Sequence, residues 1–268
     1  MLRPPPNACD CHIHVFGPYA RYPLDPARQY TPREATLEDY LKVATALGTG
    51  RVVLVQPSVY GADNSCQRDA IRDLEGHARG VAVIDDSISD AQLEQLCGAG
   101  FVGARLNLVR GNELAALERT AARVRDLGWH VQLHLPGSVL PDIADRLLEL
   151  STDFVVDHFG RIDPRGGLEQ PAFRALARLV DSGRCWVKLS APYRIDLDGA
   201  PWRKAAPFAR ELVRRNPGRL VWGTDWPHPD VAVLPQDQAL LDALADWVPD
   251  EAVRHRILVD NPAKLYRF

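Results

Sequence analysis

Eight short β-rich runs recur along the chain with helix-patterned segments between them, and this alternation leaves few folds open. The runs are "ACDCHIHVFG" at 8–17, "RVVLVQP" at 51–57, "GVAVID" at 80–85, "FVGARLNL" at 101–108, "WHVQLHL" at 129–135, "DFVVDHFG" at 153–160, "RCWVKLS" at 184–190 and "RLVWGTDW" at 219–226. Helical periodicity fills 65–78, 90–99, 112–127, 138–150, 171–182, 202–215 and 236–247, with a further helix near 250–259. Asp90 stands before "AQLEQL", Gly98 and Gly100 follow it, and Pro171 opens "PAFRALARLV", which are start and stop signals of helices. Eight such units predict a single (β/α)8 TIM barrel, an α/β fold, with residues 1–268 as one domain. A doubly wound open sheet would carry a glycine-rich dinucleotide loop after its first strand, where this chain reads "HVFGPYARYPLDP". The longest irregular stretch, 17–36, would lie over the mouth of the barrel as a lid, with Tyr19, Tyr22 and Arg28 available to close it.

Composition narrows the partners. A chain of 268 residues with 46% apolar and 25% charged residues can bury a sizeable core. A net charge of −3 offers no basic field, so neither nucleic acid nor an anionic membrane surface is expected, and a small molecule is the natural partner. Neither an export signal nor a run of about 18 apolar residues appears, and Cys9, Cys11, Cys66, Cys97 and Cys185 are scattered and odd in number. A reducing, cytoplasmic setting is expected, and a homo-oligomer is compatible with all of this. Only four basic residues are lysines (Lys42, Lys188, Lys204 and Lys264), so a single arginine says less about anion binding than it would in a lysine-rich chain.

Barrels of this kind gather reactive groups at the C-terminal ends of their strands. Alternation along the first strand sends His12 and His14 to one face, while Ile13 and Val15 point the other way. Gln56 and Ser58 end the second strand, Arg105 and Asn107 the fourth, His134 the fifth, His158 the sixth, Ser190 the seventh and Asp225 the eighth. Each alone reads as a hydrogen-bonded core residue. Together, four histidines and an aspartate at convergent strand ends would leave buried polar groups unsatisfied unless they serve one another, a metal or a substrate. His77 and His255 fall on helices, His130 at the lower end of its strand, and His228 on the rim after Asp225.

The segments "DCHIHVFGP", "GARLNL" at 103–108, "DHFGRID" at 157–163, "VWGTDWPHP" at 221–229 and "NPAKLYRF" at 261–268 span the chain in order. In them the sequence resembles the amidohydrolase superfamily, in the branch of the 2-pyrone-4,6-dicarboxylate and sugar lactonases. The resemblance implies that His12, His14, His158 and Asp225 surround a scissile carbonyl. Ester or lactone hydrolysis needs a base for water and donors for the developing oxyanion. Asp225 is the expected base, and His158 with His12 and His14 the expected carbonyl-polarising groups. Arg105, Arg161 and Arg194 sit at or beyond strand ends, where guanidinium forks suit carboxylates, and imply a small anionic lactone as substrate. His134, Ser190, Gln56, Ser58 and Tyr193 would add contacts, and Arg110 is a further candidate.

The resemblance implies no required cofactor in the lactonase branch and a metal in much of the superfamily. One zinc, held by His12, His14, His134 and Asp225, is therefore the alternative, because His134 stands at the strand-five histidine position of metal-dependent members. Arg105 stands where a residue bridging two metals is often found, and its cation would repel a second ion. A carboxylated lactone hydrolase is the leading expectation. A zinc-dependent non-oxidative decarboxylase, a lactone isomerase and a non-catalytic carboxylate binder are the competitors.

Overall fold

The computed structural model describes residues 1–109 and 114–268; Arg110 lies outside the described residues. Eight parallel strands follow chain order around one sheet: β1 (Cys9–Ile13), β2 (Arg51–Val55), β3 (Ala78–Ala82), β4 (Phe101–Asn107), β5 (His130–His134), β6 (Phe154–Val156), β7 (Cys185–Ser190) and β8 (Leu220–Gly223). The β8 end returns to β1 through a parallel bridge between Ile13 and Trp226, with Asp225 N donating to His12 O at 2.9 Å and His14 N to Trp226 O at 2.8 Å. The fold is the expected (β/α)8 TIM barrel. Its helices are α1 (Leu37–Leu47), α2 (Ser65–Asp73), α3 (Asp90–Gly98), α4 (Leu117–Val124), α5 (Leu140–Glu149), α6 (Pro171–Asp181), α7 (Ala206–Arg215) and α8 (Asp237–Trp247), followed by α9 (Glu251–His255) and α10 (Asn261–Tyr266). Among the described residues no helix is long and apolar enough to cross a membrane.

Strand residues divide between two packed layers. Val52 and Leu54, Phe154 and Val156, Val187 and Leu189, and Leu220 and Trp222 pack with the helices, whereas Val53, Val55, Val155, Trp186 and Val221 form a second cluster with Cys9 and Cys11. Leu265 and Tyr266 of α10 join that inner cluster, so the closing "NPAKLYRF" plugs the barrel's lower end. The Tyr266 ring stands edge-on to His130, 5.5 Å between centroids. Gly103 gives His130 its space, since a Cβ there would lie 2.5 Å from the imidazole.

Helix α1 was not anticipated, although Thr36 caps it through a reciprocal box with Asp39 and Gly48 ends it with a left-handed φ of 86°. The observed strands are shorter than the apolar runs. After β6, β7 and β8 the chain leaves extended geometry at once: His158, Ala191 and Asp225 adopt φ of 52°, 46° and 66°. Non-glycine residues in that region carry strain that the surrounding structure must hold, and such residues cluster at functional sites. Within 17–36, Tyr19 donates to Pro32 O at 2.8 Å, Tyr22 to Asp69 Oδ2 of α2 at 2.8 Å, and Arg28 Nε to Thr31 Oγ1 at 2.9 Å.

Candidate active site

β1 delivers its two histidines through an irregularity. Cys9 and Cys11 belong to the inner cluster and Asp10 faces the helix layer, where Tyr40 of α1 donates to its Oδ2 at 3.4 Å. Strict alternation would send His12 outward with Asp10. The β1–β2 register shifts between Asp10 and Ile13, and His12 turns into the barrel with His14. Asp10 locks this bend: its Oδ1 accepts from Thr224 N at 2.9 Å and His12 N at 3.2 Å, and its Oδ2 accepts from the Thr224 hydroxyl at 2.6 Å. Burial, opposed by these hydrogen bonds, raises the Asp10 carboxyl to about 6. Gly223 makes the approach of the strands feasible, because a Cβ there would lie 2.7 Å from His12 N.

Asp225 faces these histidines from the end of β8, and its two oxygens have different surroundings. Oδ2 accepts from Arg194 Nε at 2.9 Å, Arg194 Nη2 at 2.7 Å and the Tyr193 hydroxyl at 2.8 Å. Oδ1 is buried without a directed hydrogen bond, and lies 3.5 Å from His12 Nε2, 3.6 Å from His14 Nε2 and 3.7 Å from His158 Nε2. Burial opposes ionisation of Asp225, but the Arg194 guanidinium and the imidazoles outweigh it and hold the carboxyl well below the usual range. The histidines are held neutral. Burial, reinforced by the nearby Lys188 charge, lowers His12 to about 3, and burial likewise lowers His14 and His158. His14 Nδ1 lies 2.7 Å from Val55 O, and His158 Nδ1 lies 2.8 Å from Ser190 Oγ.

The arginines reach the mouth from the end of β4 and from the turns after β6 and β7. Arg105, almost fully buried, donates to Gln56 O at 3.1 Å and lies 3.5 Å from Asp157 Oδ2, with its own Nε left without a partner. Arg161 lies with Nη1 3.3 Å from His134 Nε2, and Arg194 also donates to Pro229 O at 3.0 Å. Gln56 uses its amide on the loop carbonyls Gly61 O and Asp63 O, at 3.1 and 2.8 Å. Beyond the mouth, a cavity of about 750 Å³ opens between the loops after β7 and β8, with Arg161, Tyr193 and Arg194 in its wall. His228 extends the hydrogen-bonded set outward, with Nδ1 3.1 Å from the Tyr193 hydroxyl and Nε2 3.0 Å from Asp237 Oδ1.

Residues 9–268 match the sequence model of the amidohydrolase family. The chain belongs to that family. This amidohydrolase is 38% identical over 270 residues to a 4-sulfomuconolactone hydrolase of Hydrogenophaga intermedia, spanning 98% of this chain and 89% of that protein. It is 38% identical over 276 residues to a 2-pyrone-4,6-dicarboxylate hydrolase of Comamonas testosteroni, spanning 98% and 90%. Among solved structures it is similar to a probable 2-pyrone-4,6-dicarboxylic acid hydrolase of Acinetobacter baumannii crystallised with citric acid, at a TM-score of 0.86 and 31% identity, covering 98% of this chain and all of that one.

Among the described residues, two groups have donor atoms close enough to share a metal ion: His12, His14 and Asp225, and His12, Asp157 and His158. In the first, the Nε2 atoms of His12 and His14 are 3.3 Å apart and each lies 3.5–3.6 Å from Asp225 Oδ1. Ligands of a tetrahedral zinc with bonds of about 2.1 Å stand about 3.4 Å apart, so the spacing fits one ion. His134 is in neither group, and the Arg161 guanidinium faces its Nε2.

Two inward charges carried no role in the sequence reading. Asp157 accepts from Gln132 Nε2 at 3.1 Å, and its Oδ1 lies 3.4 Å from His12 Nδ1. Lys188, fully buried on β7, donates to Cys11 O at 2.8 Å and lies 3.3 Å from His12 Nδ1. The signal for Lys188 was present, since a lysine two residues before Ser190 in an apolar strand must share the inward face.

Proposed function

We propose that this amidohydrolase hydrolyses a carboxylated lactone, of the 2-pyrone-4,6-dicarboxylate or sugar-acid lactone kind, by Asp225-assisted attack of water. The observation that carries the reading is Asp225 Oδ1, a buried carboxylate oxygen with no hydrogen bond of its own, facing three neutral imidazoles beside three guanidinium groups. Oδ1 takes a proton from water as the water oxygen bonds to the lactone carbonyl carbon. The oxyanion that forms is met by imidazole N–H of His12 and His158, the latter oriented by Ser190. When the ring C–O bond breaks, the proton passes from Asp225 to the departing ring oxygen, leaving a ring-opened carboxylic acid that releases its remaining proton to solvent. Arg105, Arg161 and Arg194, with His134, hold the substrate carboxylates; Gln56 supports this wall through its carbonyl. The two relatives named as lactone hydrolases support the reaction class. The five free cysteines are in keeping with a cytoplasmic setting.

A zinc ion held by His12, His14 and Asp225 would lower the pKa of a bound water to about 7. The ligand spacing favours this as the second reading, with zinc-assisted hydrolysis of the same lactone as its chemistry. The test is hydrolysis of carboxylated lactones by metal-stripped protein, followed in the ultraviolet, with zinc counted on the same sample. Metal-free turnover is expected, and Asp225→Asn should lower kcat by about 10²–10⁴. Undiminished turnover in Asp225→Asn would refute the base assignment; turnover returning only with one zinc per chain would favour the second reading.

A further inference from the structure

The ring protons of His12 and His14 are fixed from opposite ends by groups that can each act in only one way. Val55 O can only accept, so the 2.7 Å contact places the His14 proton on Nδ1 and leaves a lone pair on Nε2. At the other end, Lys188 Nζ lies 3.3 Å from His12 Nδ1. Burial lowers the Lys188 pKa and the Asp157 carboxylate opposes that; paired with this carboxylate, Nζ is an ammonium with no acceptor, so Nδ1 carries the lone pair and the His12 proton sits on Nε2. Lys188 is anchored for this by Cys11 O at 2.8 Å and by the Asp157 carboxylate at 3.7 Å. The two independent assignments meet correctly in the middle: the Nε2 atoms are 3.3 Å apart and need one donor and one acceptor, which they now supply.

A metal at the His12–His14–Asp225 triangle would need the opposite arrangement. Both Nε2 atoms would have to offer lone pairs, moving the His12 proton to Nδ1, against the N–H of Lys188. Its only alternative acceptor is Asp157 Oδ1 at 3.4 Å, which makes no directed hydrogen bond in this structure. The spacing of the ligands therefore fits an ion, while the placement of protons opposes it.

We propose that Lys188 is a positioning residue that holds His12 as the Nε2–H tautomer, so that the HxH pair presents a hydrogen-bond donor to the substrate carbonyl instead of a chelate to zinc. The inference deepens the lactone-hydrolase reading and rests on it for the word substrate; its test reads protons and zinc, so either can fail without the other. His12 Nε2 lies 3.5 Å from Asp225 Oδ1, so its N–H, directed at His14 Nε2 before substrate binds, borders the space a reacting carbonyl must enter and can turn to the carbonyl oxygen there.

In protein labelled with ¹⁵N-histidine, long-range proton–nitrogen correlation should show His12 protonated at Nε2 and His14 at Nδ1. Lys188→Met keeps the side chain's length and removes the donor; its His12 proton should move to Nδ1, toward Asp157, and its affinity for zinc alone should rise at least tenfold, to about one ion per chain. Lys188→Arg retains a donor that has no acceptor and should keep both the wild-type tautomer and the wild-type zinc affinity. Should Lys188→Met not fold, Lys188→Leu removes the donor in a shorter apolar side chain and should give the same proton shift and the same gain in zinc affinity. A wild-type His12 protonated at Nδ1, or equal zinc affinity in wild type and a folded Lys188→Met, would overturn the proposal.

Discussion

Replacing Arg194 by glutamine tests how the base is kept ionised. Two guanidinium nitrogens donate to Asp225 Oδ2, at 2.9 and 2.7 Å, in a place where the carboxylate is shielded from water. An arginine beside a buried aspartate lowers its pKa by about 1–3 units, and each unit corresponds to about 1.4 kcal/mol of preference for the charged form. Loss of Arg194 should therefore raise the Asp225 pKa by about 1–3 units, since burial then acts with less opposition. The assay is the pH dependence of kcat/KM, whose acid limb reports groups of the free enzyme. Wild type should keep its base ionised to well below the usual carboxylate range, whereas the limb in Arg194→Gln should move up by about 1–3 pH units. KM will rise because a carboxylate contact is lost, so the position of the limb carries the test, not its height. Stability should follow the same sign. Asp225 has a lowered folded pKa, so its contribution is present above the unfolded value and lost as pH falls toward the folded one. The stability gap between wild type and Arg194→Gln should thus be widest near pH 7 and narrow below pH 4. An acid limb that stays in place would refute the assignment of Arg194 as the group that depresses Asp225.

Two other residues give independent tests. Asp10 has the reverse sign: with its carboxyl raised to about 6, it stabilises the fold most below an unfolded value near 4, and that contribution is lost as pH rises through 6. In urea unfolding, wild type should lose roughly 2 kcal/mol relative to Asp10→Asn between pH 4 and pH 7, and a pH-independent difference would contradict this. Gly223→Ala places a methyl 2.7 Å from His12 N and 2.9 Å from His12 Cβ, so β1 must shift. We expect a loss of about 1–3 kcal/mol in thermal unfolding and about a hundredfold in kcat, with unchanged kcat arguing against a positional demand on His12.

Much of this architecture was legible before folding was considered. The alternation of apolar runs with helix-patterned segments gave the barrel, because a strand buried on both faces and a helix buried on one leave different periods in the sequence. The same reading placed His12, His14, His158 and Asp225 at strand ends, and these are brought together within 3.3–3.7 Å. Helix α1 was legible too, with Tyr40, Ala44 and Leu47 buried at helical spacing behind the capping box at Thr36 and Asp39, but the segment follows an irregular stretch rich in proline and tyrosine and was passed over. Residue-level roles were less legible. Gln56 reads as a polar strand end facing a ligand, yet its amide holds the loop carbonyls of Gly61 and Asp63.

Local stereochemistry and the demand for burial fix the period, number and order of the elements along the chain and which side chains can carry chemistry. Which atoms of those side chains face one another is set by how the strands pack. The irregularity between Asp10 and Ile13 turns His12 inward against the parity of its strand, and residues 176 positions apart make Lys188 a neighbour of His12 Nδ1. Proton placement and carboxylate ionisation depend on contacts of about 3 Å between different strands, and strand packing sets such distances, not any pattern along one chain.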